Sequence, residues 1–481
     1  MISQQHIIKK FSVELQTQGR EHSYTLQRKC IRMVNEDLVP GIDDVLSKHF
    51  DGNEIVRINK IEIDLGTMST EELEKEFIAK CIAALTNKIK AIPQQTKQKG
   101  ESEAIEIIKE ENTLQQFFYF LLSGKMYWTQ NDVSFPAWQN EILQAIRVKT
   151  DFFKKEWSVF LLNNPPAIER LVLQFDDSFI AAVVALYQPG VINEYRSLTQ
   201  LLTGLTQPGS NEIIRTQIVS KVLFTLFGAS NKIDRIAIED TIGKLIVKYS
   251  NTGDEKIFLS IEDAILAITE KTGISFIATP LPEAIEEKQL QDIDSNEETP
   301  MKTATEMNKE EAADRSVYIK NAGIIILHPF LKNLFTATGL MQDESFKDGI
   351  SQQKAVHLLQ YLANGEQEVP EYIMPLNKIL CDLDEAEHID RFIQLQEAEK
   401  TEADELLAAV ITHWAMLKNT SAAALQETFF QRNGKLTFIE TDGYWKLQVE
   451  RKAVDILLDK IPWGISYIQL PWMKYALVTE W

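Results

Sequence analysis

Between residues 281 and 315 the chain carries eleven acidic side chains against four basic ones, with scarcely an aromatic or β-branched apolar residue. Such a segment cannot bury enough apolar surface to offset the entropy of ordering it, so it reads as a disordered acidic linker. Whatever lies on either side must then supply its own core. The material is there: of 481 residues, 44% are hydrophobic and 25% charged, ordinary for globular domains and enough for about two to four of them.

N-terminal to the linker, two kinds of periodicity alternate. Phe11, Val13 and Leu15 recur at period two and predict a strand over 6–16. Leu26, Cys30, Ile31, Val34 and Leu38 predict a helix over 22–38, broken at Pro40-Gly41 and resumed over Ile42–Phe50. Val56 and Ile58, then Ile61, Ile63 and Leu65, predict a second strand beside the first, its phase slipped as by a bulge. A helix follows, capped by Ser69 or Thr70, with Leu73, Phe77, Cys81, Leu85 and Ile89 on one face. Residues 1–92 therefore read as a β-α-β-α domain and 93–110 as a linker or solvated helix. Residues 111–280 read as a helical middle domain, with apolar clusters at Phe117–Leu122, Phe152–Leu162 and Phe179–Tyr187 and breaks at Pro165-Pro166, Pro189-Gly190 and Pro208-Gly209.

Residues 316–481 read as an α+β domain. Ala322–Leu327 is a buried strand or helix start, and helices are expected over Leu331–Leu340, Gln353–Leu362 and Thr401–Leu417. Ser421 or Thr420 caps a further helix, and a hairpin turns at Asp442-Gly443 between Leu436/Phe438 and Trp445/Leu447/Val449. Val454, Leu457, Leu458 and Ile461 give a last helix its buried stripe. The fold class is α+β, mostly helical. Trp463, Trp472 and Trp481 have two readings, and Phe330 is grouped with them as a candidate contact. The plainer one is local core, since aromatic rings bury large area at few torsions. The other is an exposed docking patch near a chain end, which makes these four the candidate partner-binding residues.

Charge and motifs narrow the function classes. The net charge of −20 repels nucleic acid and anionic membranes, and neither is expected as a partner. The N-terminus has no uninterrupted apolar run after a basic start, so no secretory signal is expected, and no apolar run is long enough to span a membrane. Cys30, Cys81 and Cys381 form no CxxC pair and read as reduced buried thiols. There is no phosphate-binding glycine loop, HExxH or Gly-x-Ser-x-Gly. The seven histidines show no metal-ligand spacing; His328, His357 and His413 read as structural hydrogen-bonding residues. The helix Ala422–Arg432 beside the hairpin has too few cations for a DNA-reading helix. No catalytic residue, cofactor or metal is expected, and the chain does not read as an enzyme.

Several blocks in order carry a resemblance. They are His6-Ile7-Ile8, Ile58-Asn59-Lys60-Ile61-Glu62-Ile63-Asp64-Leu65-Gly66, and Phe120-Leu121-Leu122-Ser123-Gly124 through Tyr127-Trp128. The C-terminal ones are Leu327-His328-Pro329-Phe330-Leu331, His413-Trp414, Leu417 through Ser421, Phe429-Phe430-Gln431-Arg432, Pro462-Trp463-Gly464, Leu470-Pro471-Trp472-Met473 and Glu480-Trp481. In these the chain resembles the tape measure proteins of bacterial contractile injection systems, phage-tail-like particles with a sheath, inner tube and baseplate. It departs from the family at Met126 and Tyr127, where Pro and Trp are usual.

The resemblance implies a non-enzymatic structural protein that sits in the lumen of the growing tube and sets its length. The implied partners are inner-tube and baseplate or tube-initiating proteins, with further copies of the chain a candidate. The implied location is the cytoplasm during assembly and then the lumen of the particle, outside the cell if the particle is released. Residues 93–315 would span roughly 330 Å as one helix at ~1.5 Å per residue, or roughly 750 Å fully extended at ~3.3–3.6 Å per residue. Their prolines and apolar clusters fit a folded bundle better than a ruler. The alternative implied role is therefore an assembly adaptor or chaperone at the tube start that recruits tube or cargo proteins.

Overall fold

The computed structural model describes residues 8, 11–15, 23–50, 55–58, 61–95, 104–107, 109–126, 134–204, 211–228, 232–234, 255–272, 275–277, 316–417 and 420–481. The acidic segment 281–315 lies outside them. The described residues form two compact units, one within Met1–Leu114 and the other within Gln115–Trp481.

In the first unit, α1 (Ser23–Met33) runs through a π-turn at Val34–Leu38 into α2 (Val39–His49). The proline at position 40 predicts a break, yet the helical path continues. Pro40 sits in the first turn of α2, where its missing N–H costs little, and the wide turn before it relieves the ring's clash. α3 (Thr70–Gln95) starts on the expected cap: the Glu72 N–H donates to Ser69 Oγ (3.2 Å) while the Ser69 N–H donates to the Glu72 carboxylate (2.8 Å). Cys30, Met33, Leu38, Ile42, Val45, Leu73, Phe77, Leu85 and Ile89 form the core.

The strand β1 (Ile55–Ile58) pairs antiparallel with β2 (Ala104–Ile107), in the register Ile55↔Ile107. β2 falls in the stretch read as a linker, where Ala-Ile-Glu-Ile alternates in a polar surround. Phe11, Val13 and Leu15, expected beside β1, are exposed and belong to no sheet among the described residues.

The second unit begins with helices: α4 (Lys109–Ser123, shared with the first unit's range), α5 (Phe135–Val148), α6 (Thr150–Asn163), α7 (Ala167–Gln174), α8 (Asp177–Tyr187), α9 (Ile192–Gly204), α10 (Asn211–Leu226) and α11 (Glu255–Thr272). The three apolar clusters of the sequence converge here. Phe117 stacks on Trp157 (5.7 Å), Phe118 on Phe160 (5.0 Å) and Phe175 on Phe179 (4.4 Å), and Trp157 meets Phe227 edge-on (5.3 Å). The short strands β3 (Lys232–Asp234) and β4 (Ser275–Ile277) pair in parallel, an element with no counterpart in the sequence pattern.

The C-terminal part packs short helices on one face of a five-stranded mixed sheet. In chain order its elements are β5 (Ser316–Ile319), a 3₁₀ helix at Ala322–Phe330, α12 (Leu331–Ala337) and the small hairpin β6–β7 (Met341–Gln342, Ser345–Phe346). Then come α13 (Gly349–Asn364), α14 (Pro375–Leu380), α15 (Glu397–His413) and α16 (Ala422–Leu425). Strands β8 (Gly434–Ile439) and β9 (Tyr444–Val449), a 3₁₀ helix at Ala453–Lys460, β10 (Tyr467–Ile468) and β11 (Leu477–Glu480) complete it. The sheet order is β10-β11-β9-β8-β5, with β11 and β9 parallel and the other neighbours antiparallel. The β8–β9 hairpin turns at Asp442-Gly443 as expected, with Gly443 at φ +67°.

The sheet's inner face meets a 3₁₀ helix whose first six residues are all buried. The stretch read as a strand or helix start is a tight helix because its backbone must pass close to the chain at Phe429. A Cβ on Gly323 would lie 1.7 Å from the Phe429 carbonyl oxygen. Replacing Gly323 by Ala should therefore cost about 3 kcal/mol, at the upper end of overpacking penalties. Gly349→Ala, where a Cβ meets nothing within 4 Å, should be neutral. Urea unfolding of the two variants checks both.

Candidate functional site

The four aromatic candidates are all half-buried against the C-terminal core. Two of them touch: Trp463 meets Phe330 edge-on at 5.0 Å and donates its indole N–H to the Ile326 carbonyl (3.0 Å). His413 also stacks against Phe330 (6.2 Å). Trp472 sits elsewhere, between Phe335 and Phe346 (5.6 Å each), with its N–H on the Leu380 carbonyl (2.9 Å). Trp481 donates to Asp455 Oδ2 (3.1 Å), whose other oxygen accepts from the buried Arg432 (2.6 Å). Each indole is thus fixed by its own chain and presents an edge to solvent.

A second constellation has no counterpart in the sequence reading. Arg170 of α7, Glu371 and Lys378 of α14 are each at most 2% exposed. Arg170 Nε donates to Glu371 Oε2 (3.0 Å) and Nη2 to Oε1 (3.4 Å). Nη1 caps the Leu121 and Leu122 carbonyls at the end of α4 (2.7 and 2.8 Å), and Nη2 also reaches the Ala386 carbonyl (2.7 Å). Lys378 Nζ donates to Glu371 Oε1 (2.5 Å) and to the carbonyls of Glu385 (3.0 Å) and Glu387 (2.6 Å). One carboxylate serves two cations, and five carbonyl dipoles supply the remaining negative potential. Burial holds the Lys378 ammonium below its ordinary pKa, opposed by the Glu371 charge.

Gly124, at φ +69°, makes room for this node: a Cβ there would lie 2.3 Å from Glu371 Oε1. Around it, Gln174 Nε2 donates to the Ile389 carbonyl (2.7 Å) and the Glu371 N–H to Gln174 Oε1 (2.8 Å). The Arg391 N–H donates to the Leu173 carbonyl (3.0 Å), and its guanidinium lies over the Phe135 ring (4.7 Å). Lys125 pairs with Glu385 (2.8 Å) and His388 faces Glu169 (3.7 Å). The sequence signal was present in α7, where Arg170 and Gln174 stand four apart, on one face, amid Ile168, Leu171 and Val172.

Two of the histidines singled out in the sequence contact backbone carbonyls. His328 Nδ1 contacts the Ile325 carbonyl (2.9 Å), and His357 Nε2 the Asp390 carbonyl (2.8 Å). Among the described residues no group of three or more His, Cys, Asp or Glu side chains could hold a metal ion. Cys30 and Cys381 are buried free thiols, and Cys81 is a half-buried one.

A family model described as contractile injection system tape measure protein matches residues 5–481. No curated protein and no solved structure is matched.

Burial pushes the His357 imidazole down to about 4 from 6.5. As pH falls, the unfolded chain takes up a proton first, so stability is lost between those two values and is level below them. The loss should total about 3 kcal/mol. His357→Gln keeps a donor for Asp390 and removes the titration. Urea midpoints at pH 7 and pH 4.5 should therefore lie closer together in that variant than in the parent.

Proposed function

This chain belongs to the contractile injection system tape measure proteins, and on that premise we propose that it sets the length of the inner tube from within the tube lumen. The match over residues 5–481 carries this reading, because it spans both compact units and the segments between them rather than one borrowed module. The partners it requires are the inner-tube protein along the length of the chain and a baseplate or tube-initiating protein at one end. Among the described residues no helix is long and apolar enough to cross a membrane. The exposed edges of Trp463 and Trp472, with Phe330 and Trp481, are the proposed contacts to the tube start.

One observation favours a second role. Residues within Gln115–Trp481 fold as a single compact unit, and a compact body contributes little contour length. An adaptor at the tube start, which recruits tube or cargo proteins through a folded surface, would need nothing more.

Tube length separates the two readings. Duplicating residues 278–315 adds roughly 40 residues, worth ~60 Å as helix or ~130 Å extended, without touching a described element. If the chain is a ruler, electron microscopy of purified particles should show tubes longer by an amount within that range. Tubes of unchanged length in intact particles would leave the adaptor. In that case Trp463→Ala or Trp472→Ala, in a chain that still folds, should abolish assembly.

A further inference from the structure

We infer that the seam between the helical elements α4–α11 and the C-terminal α+β part is built to open, so that the chain has a docked and an undocked state with both parts still folded. Each side has a core of its own. The C-terminal core is drawn wholly from residues between Ile319 and Leu477. The helical side has its aromatic stack of Phe117, Trp157, Phe160, Phe175 and Phe179. Among the described residues a dense set of polar contacts crosses the seam. Arg170 reaches Glu371 and the Ala386 carbonyl, and Gln174 reaches Ile389 and Glu371. Arg391 reaches Leu173 and Gln174, and Lys125 reaches Glu385. The ring contribution is Tyr372 against Phe120 (6.1 Å) and Phe135 (6.2 Å).

Such a seam differs from an apolar one in what opening exposes. Separating two apolar faces leaves both in water, and the hydrophobic effect opposes it over the whole area. Separating this one returns Arg170, Glu371, Lys378, Gln174 and Arg391 to water together. Each regains the hydration it lost on burial, which offsets much of the lost attraction. Removing one partner from the closed seam is different, because it strands the others without water or counter-charge. The seam is therefore fixed in register when closed and yields as a unit when opened. Residues 278–315 connect the two sides and could reach ~130 Å at most, so the chain does not forbid separation.

For a tape measure this supplies reach without unfolding, but the test needs no particle and is indifferent to whether tube length follows residues 278–315. Native-state hydrogen exchange on the full chain reads two seam amides: Arg391, bonded to the Leu173 carbonyl, and Glu371, bonded to the Gln174 side chain. Cooperative undocking gives both one common protection factor, each rate being divided by that amide's intrinsic rate, at least about tenfold lower than for buried amides at Trp157 in α6 and Leu359 in α13. In Glu371→Gln the Arg391 amide should accelerate further while those core amides keep their rates. Seam and core amides with the same protection factor in the parent protein would overturn the inference, since the seam would then open only by global unfolding. Should Glu371→Gln fail to fold, the parent measurement decides alone.

Discussion

A single guanidinium ties four pieces of backbone together. Arg170 uses Nε, Nη1 and Nη2 to hold the end of α4, the Glu371 turn and the Ala386 loop against α7. A lysine could not do this, because its compact ammonium lacks the planar fork that meets a carboxylate and several carbonyls at once. Glu371 is the keystone of the charge balance. Without it, Arg170 and Lys378 would face each other buried and uncompensated, a loss of about 3–5 kcal/mol. That sum is a large part of a typical domain's stability. The left-handed Gly124 is part of the same device, since only a residue without a Cβ leaves space for the carboxylate.

The C-terminal part has its own buried polar centre. Asn321 Nδ2 donates to Asn377 Oδ1 (2.9 Å) and Gln360 Oε1 (3.2 Å), and Asn377 Nδ2 to the Val356 carbonyl (3.1 Å). These amides join the start of the first 3₁₀ helix to α13 and α14, while Gly323 lets that helix abut Phe429. The tail closes the assembly from outside. The Trp463 and Trp472 indole N–H groups donate to the carbonyls of Ile326 and Leu380. Tail and core are thus one packing problem, and a partner at the tail would read a surface whose shape the core fixes.

How much of this was legible in the sequence depended on range. The hairpin at Asp442-Gly443 and the Ser69 and Ser421 caps are decided within a few residues, and local chemistry points to them. Val454, Leu457, Leu458 and Ile461 read as the buried stripe of a last helix; they pack against the core only half-buried, and the helix is a 3₁₀ one that ends at Lys460. The α+β, mostly helical class followed from periodicity alone. The ionic node did not, because Arg170 and Glu371 are 201 positions apart and nothing local pairs them. β2 was missed because four alternating residues in a polar stretch are too few to outweigh composition. For the tail, the sequence left local core and docking patch both open for Trp463, Trp472 and Trp481 and could not say which aromatics would touch. Only Phe330 and Trp463 do.

The tension between a ruler and a folded body turns on where length resides. Contour length comes from chain that is not committed to a core, and the second unit commits most of what lies between α4 and the C-terminus. It does so by two different means. Within each part, aromatic and aliphatic packing gains free energy in proportion to area, and giving it up means unfolding. Between the parts, ions and amides exchange protein partners for water at little net cost. A chain assembled this way can be compact while it folds and longer while it works, with no core exposed in either state. A seam of leucines would have made the compact state permanent. Under the proposed opening, the charged seam would let this compact unit serve the proposed function of measuring length.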